Sequence, residues 1–118
     1  MARILIVDDD VEFGIALSKT LKGEGHETAT ALNTAEGLEC LRKEKYDIVF
    51  ADLSMPGDNG LVLLEKSKKE FPGLPVVMIT AFGDWDTYAK ALEKSVSKFV
   101  NKPVKKEEIM QILKDVLG

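Results

Sequence analysis

Short apolar runs alternate with longer stretches of helical period five times along the chain, and this alternation limits the possible fold more than any other feature. Ile4-Leu5-Ile6-Val7 is a continuous β-rich run, the mark of a strand buried on both faces. Phe13, Ala16, Leu17, Thr20 and Leu21 follow at helical spacing, with Gly23 as the expected stop. Glu27 to Ala31 is the weakest strand, carried by Thr28 and Thr30. Asn33 with Glu36 starts a helix in the manner of a capping box, and Ala35, Leu38 and Leu41 form its stripe. Ile48-Val49-Phe50-Ala51 is the third strand, ending at Asp52, and a turn cluster runs from Met55 to Gly60. A helix from Leu61 stops near Pro72-Gly73. Pro75 to Ile79 is the fourth strand, ending at Thr80. Trp85, Tyr88, Ala89 and Leu92 give the fourth helix its stripe. Val96, Phe99 and Val100 make the fifth strand before Lys102-Pro103, and Ile109, Ile112, Leu113 and Val116 mark the last helix.

Five βα units in this length predict one α/β domain over residues 1–118, a doubly wound parallel sheet with five helices in three α/β/α layers. Ligands of such sheets sit outside the carboxyl ends of the strands. Composition narrows the field further. Sixteen Lys and Arg stand against 20 Asp and Glu, a net charge of −4, which argues against direct nucleic-acid binding. The lone Cys40 cannot form an internal disulfide. The amino terminus reads neither as a signal peptide nor as a membrane span, so the cytoplasm is the expected compartment.

The strand ends carry the chemistry. Strand one ends in Asp8-Asp9-Asp10, strand three in Asp52, strand four in Thr80, and strand five near Lys102. If strands one and three are neighbours, Asp8, Asp9 and Asp52 share one small volume. Clustered carboxylates repel unless a cation intervenes, and Mg²⁺ needs only one or two of them plus waters. A hydroxyl at Thr80 and a mobile positive charge at Lys102 suit a phosphoryl group. An Asp beside a divalent ion, a hydroxyl and a lysine is suited to forming an aspartyl-phosphate.

The segments ILIVDDD, DIVFADLSMPGDNGL, VVMITAF and FVNKP, in order across essentially the whole chain, resemble the response-regulator receiver domains of two-component signalling, of the chemotaxis-regulator type. The resemblance implies a flavodoxin-like sheet of order 2-1-3-4-5. It implies Asp52 as phosphoacceptor for a sensor histidine kinase or phosphotransfer protein, in a Mg²⁺-dependent reaction. Asp8 and Asp9, with Asp52 and the Ser54 carbonyl, would hold the metal. Thr80, the Ala81 backbone N–H and Lys102 would contact the phosphoryl group. Thr80 and Phe99 would form the switch, and Lys102-Pro103 is commonly cis in the family. The domain would catalyse its own phosphorylation and dephosphorylation, without being a conventional enzyme. Its output face would be the fourth helix, fifth strand and fifth helix, where Trp85 lies among lysines, offered to an output domain, a partner protein or a second copy on activation.

The turn after Pro56 departs from the usual family reading and carries an extra acid at Asp58, and Ser95-Val96 replaces the usual glycine-alanine before the fifth strand. Three competing readings fare worse. A phosphorylation-independent pseudo-receiver does not need the intact acid set. A flavin carrier would have its phosphate repelled by three aspartates. A haloacid-dehalogenase-like phosphatase pattern fits Asp8 and Asp10, but Glu12 stands where that pattern needs threonine.

Overall fold

A computed structural model gives the fold, described over residues 1–52, 54–55, 58–80 and 98–118, with 54–55, 58–61 and 80 described as backbone only. Five parallel strands form one sheet: β1 (Arg3–Val7), β2 (Glu27–Ala31), β3 (Ile48–Asp52), β4 (Val76–Thr80) and β5 (Lys98–Asn101). Their order is 2-1-3-4-5, as the family resemblance implies. Four helices are described: α1 (Val11–Gly23), α2 (Thr34–Lys43), α3 (Gly60–Glu70) and α4 (Lys106–Leu117). The expected helix around Trp85 and the departure at Ser95-Val96 lie outside the described residues.

Each central strand is buried on both faces, which is why these runs do not alternate with polar residues. Leu5 and Val7 join Val49, Ala51, Val76 and Met78 in one core, covered by Leu38 and Leu41 of α2 and Leu63 and Leu64 of α3. Ile4 and Ile6 join Ile48, Phe50, Val77 and Ile79 in the other, covered by Leu17 and Leu21 of α1 and Ile109, Ile112 and Leu113 of α4. The result is three layers. α2 lies close over the end of β1, since a Cβ at Gly37 would come 3.0 Å from Val7 Cγ2.

Local signals set the helix ends. The Asn33 side chain accepts the Glu36 N–H at 2.9 Å, and Glu36 Oε1 accepts the Leu32 N–H, so this capping box reaches one residue further back than the usual form. α1 runs through Gly23, and the residue that turns the chain is Gly25, at φ +89°. The Gly25 N–H bonds to the Lys22 carbonyl and the His26 N–H to the Leu21 carbonyl, which together make a Schellman ending. His26 sits at the far end of the sheet, where its Nδ1 accepts the Ala2 N–H. The Lys102–Pro103 peptide bond is cis.

Candidate functional site

Strand register builds the site. Val7 pairs with Ala51 across β1 and β3, so Asp8 and Asp52 leave the sheet at the same level. Asp52 pairs with Ile79, and Thr80 with Asn101, which brings the ends of β4 and β5 to the same edge. The Asp8 N–H still donates to the Ala31 carbonyl, so the ladder holds this aspartate in place.

The carboxylates of Asp8, Asp9 and Asp52 offer oxygens that all lie within 4.8 Å of one another. Asp8 and Asp52 are buried, at 2% and 5% exposure, and Asp9 is exposed. Lys102 Nζ stands 3.0 Å from Asp8 Oδ2 and 3.8 Å from Asp52 Oδ2. Burial pulls the Lys102 ammonium down, but its contact with Asp8 and the charges of Asp8, Asp52 and Asp10 outweigh that and hold it above the usual lysine value. One cation thus faces several acids. Asp8 Oδ2 is buried, and among the described residues it meets only the Lys102 ammonium, at 3.0 Å. A buried carboxylate that shares one ammonium with two further carboxylates within 4.8 Å is a hard-oxygen donor set that fits a divalent cation.

The three consecutive aspartates do different jobs. Asp8 and Asp9 face the cluster, whereas Asp10 caps α1: its Oδ1 accepts the Phe13 N–H at 3.1 Å. The Asp10 N–H in turn donates to Asp8 Oδ1 at 2.9 Å.

Of the residues singled out in the sequence, Asp8, Asp9, Asp52 and Lys102 come together. Ser54 follows β3 closely, in a two-residue strand paired antiparallel with Asp58–Asn59. Thr80 ends β4, but its side chain, and Ala81 altogether, lie outside the description. Phe99 is half-buried on β5, against the core that α2 and α3 cover. The sequence reading missed Phe13, whose ring centroid lies 4.5 Å from Lys102 Nζ. Its place in the first turn after the acidic run was the available signal.

Residues 4–114 match the response regulator receiver domain family. The chain belongs to that family. This receiver is 38% identical over 116 residues to the transcriptional regulatory protein GlrR of Escherichia coli, covering 98% of this chain and 26% of GlrR. The chain thus spans about a quarter of the length of this curated relative. Among solved structures, a response regulator receiver domain protein from Clostridium thermocellum superposes with a TM-score of 0.91 at 27% identity, covering 99% of this chain and 94% of that one. The response regulator TrrA of Thermotoga maritima, solved in complex with Mg²⁺-BeF, gives 0.88 at 28% identity, covering 98% and 99%. No described helix of this receiver is long and apolar enough to cross a membrane.

Proposed function

We propose that this receiver is the phosphoacceptor switch of a cytoplasmic two-component system, with Asp52 as the residue that is phosphorylated. The observation that carries the proposal is the convergence of the Asp8, Asp9 and Asp52 carboxylates within 4.8 Å, with the Lys102 ammonium 3.8 Å from Asp52. A carboxylate oxygen of Asp52 attacks phosphorus. The bond from phosphorus to the donor imidazole nitrogen breaks, its electron pair stays on that nitrogen, and the donor histidine belongs to a sensor kinase or phosphotransfer protein.

Asp8, Asp9 and Asp52, with the Ser54 carbonyl, would hold Mg²⁺. When bound, the ion neutralises the acid cluster and the charge that develops on the phosphoryl oxygens. The work of the chain is positioning. Lys102 leaves Asp8 and pairs with the phosphoryl group, over a short distance because its ammonium already stands between the two acids. Thr80 and the Ala81 N–H complete the oxygen contacts. The same groups serve hydrolysis, so the domain catalyses its own phosphorylation and dephosphorylation. Thr80 moving toward the phosphate and Phe99 turning inward would carry the change to the face of the Trp85 segment, β5 and α4. That face is offered to an output domain, a partner protein or a second copy. The likeness to GlrR, a transcriptional regulatory protein, favours a transcriptional output in a longer protein.

The test is intact-protein mass after incubation with acetyl phosphate and Mg²⁺, wild type beside Asp52→Asn. One phosphoryl group on wild type only, lost when Mg²⁺ is chelated beforehand, is the expected result. Equal uptake by Asp52→Asn would remove Asp52 from the role, and no uptake by either would favour a phosphorylation-independent binding module.

A further inference from the structure

The ring of Phe13 lies against Lys102 and has no part in the chemistry above. We propose that Phe13 is a positioning residue for Lys102, its face holding the ammonium between Asp8 and Asp52 through a cation–π contact. This rests on the reading of Asp52 as phosphoacceptor.

The contact is direct. Nζ lies 4.5 Å from the ring centroid, inside the range where the ring quadrupole attracts a cation. Lysine needs such a restraint, because its charge sits on a flexible four-carbon stem. The acids supply contacts on one side, at 3.0 and 3.8 Å, and the ring supplies another. Phe13 also joins Ala16, Leu17, Val104 and Ile109 in lining an apolar groove of about 530 Å³ between α1 and α4. Lys102 lines the same groove, so loss of the ring would open a way for the ammonium to leave the acids.

The position of the ring is itself set by the site. Asp10 caps α1 by accepting the Phe13 N–H, and the Asp10 N–H is held by Asp8. The aspartate run therefore fixes both the ion partner of Lys102 and the backbone that carries its aromatic partner. Leucine at position 13 keeps the apolar volume and loses the π-face; tyrosine keeps both.

The experiment measures the rate of phosphorylation by acetyl phosphate with Mg²⁺ for wild type, Phe13→Leu, Phe13→Tyr, Lys102→Met and the Phe13→Leu/Lys102→Met double variant. Phe13→Leu is expected to slow the reaction by about threefold to thirtyfold, the rate equivalent of one cation–π contact. Phe13→Tyr should stay within about twofold of wild type. In the Lys102→Met background Phe13→Leu should have no further effect, which mere packing would not produce. Independently of phosphorylation, and without Mg²⁺, the Lys102 ε-methylene protons should be shifted upfield by the ring current in wild type and Phe13→Tyr, and should lose that shift in Phe13→Leu. A wild-type rate in Phe13→Leu, equal slowing with and without Lys102, or an unshifted Lys102 in wild type would each overturn the proposal. Should Asp52→Asn react like wild type, the functional reading fails instead, and the proton shift still decides whether the ring holds the lysine.

Discussion

At the scale of single residues, the site trades stability for readiness. Three carboxylates within 4.8 Å face one ammonium, and the ion pair of Lys102 with Asp8 cannot neutralise the others. Unit charges about 4 Å apart interact by roughly 1 kcal/mol even in bulk water. Asp9 is the exposed member, so its charge can be removed without opening a cavity. Asp9→Asn is therefore expected to stabilise the metal-free protein by about 1 kcal/mol in urea titration. Wild type should gain stability as Mg²⁺ is added, because a ligand that binds only the folded state stabilises it by mass action. Asp9→Asn should lose most of that gain, and a gain equal to wild type would show that Asp9 does not hold the ion. The acids themselves were legible in sequence, because they end runs that can only be buried strands. The division of labour within Asp8-Asp9-Asp10 was half legible: Asp10 falls at the helix start, where a cap belongs. The meeting of Phe13 with Lys102 was not, since it joins positions far apart in sequence, one in the first turn of α1 and one just past the end of β5.

Among the elements, β1, β3 and β4 follow directly from apolar runs that nothing but a two-faced strand can accommodate. β2 is a different case: Glu27–Ala31 has little burial of its own, and its strand character comes from pairing residue for residue with β1. The end of α1 shows why boundaries are harder. Two glycines stand two apart, and only the backbone shows that Gly25 takes the left-handed turn while Gly23 stays helical. α2 and α3 are tied at their ends by a pair that sequence could not assign, because both residues are surface charges among many. Arg42 Nε and Nη2 donate to Glu70 Oε1 and Oε2 at 2.8 and 2.6 Å. That bond holds the Glu70 carboxyl below the usual carboxylate value. A lowered carboxyl stabilises the fold above the unfolded-state value and loses that contribution as pH falls through the folded-state value. The coupling between Arg42→Gln and Glu70→Gln in a double-mutant cycle should therefore be present at neutral pH and vanish in acid. Coupling that persists once Glu70 is protonated would assign it to packing rather than charge.

For the whole molecule, the two hydrophobic cores share a single sheet. Ile4 and Leu5 are neighbours in β1 yet belong to opposite cores, and Val49 and Phe50 in β3 repeat the pattern. Neither core can come apart without exposing the other face of the same strands. The carboxyl edge of that sheet carries the acids and Lys102. The opposite edge carries fastenings: Arg3 pairs with Glu27 at 3.2 Å, and the Arg3 N–H donates to Asp47 at 2.8 Å. Unfolding should thus be a single transition. Leu64→Ala removes buried volume on the α3 face, and Ile109→Ala does so on the α4 face. Each is expected to cost about 2–5 kcal/mol, because the space left by a fully buried aliphatic side chain closes only in part. The two sites share no core, so the costs should add within about 0.5 kcal/mol in the double variant. Circular dichroism and the Tyr46 ring-proton NMR signals should agree on one urea midpoint within each variant, with the slope unchanged. Tyr46 packs on the Leu64 side, so it would part company with the backbone signal in Ile109→Ala if the layers could unfold separately. Such a split would mean that a change at one face of the sheet need not be felt at the other. A common midpoint would mean that chemistry at the shared edge acts on both layers at once, as a switch built on this sheet requires.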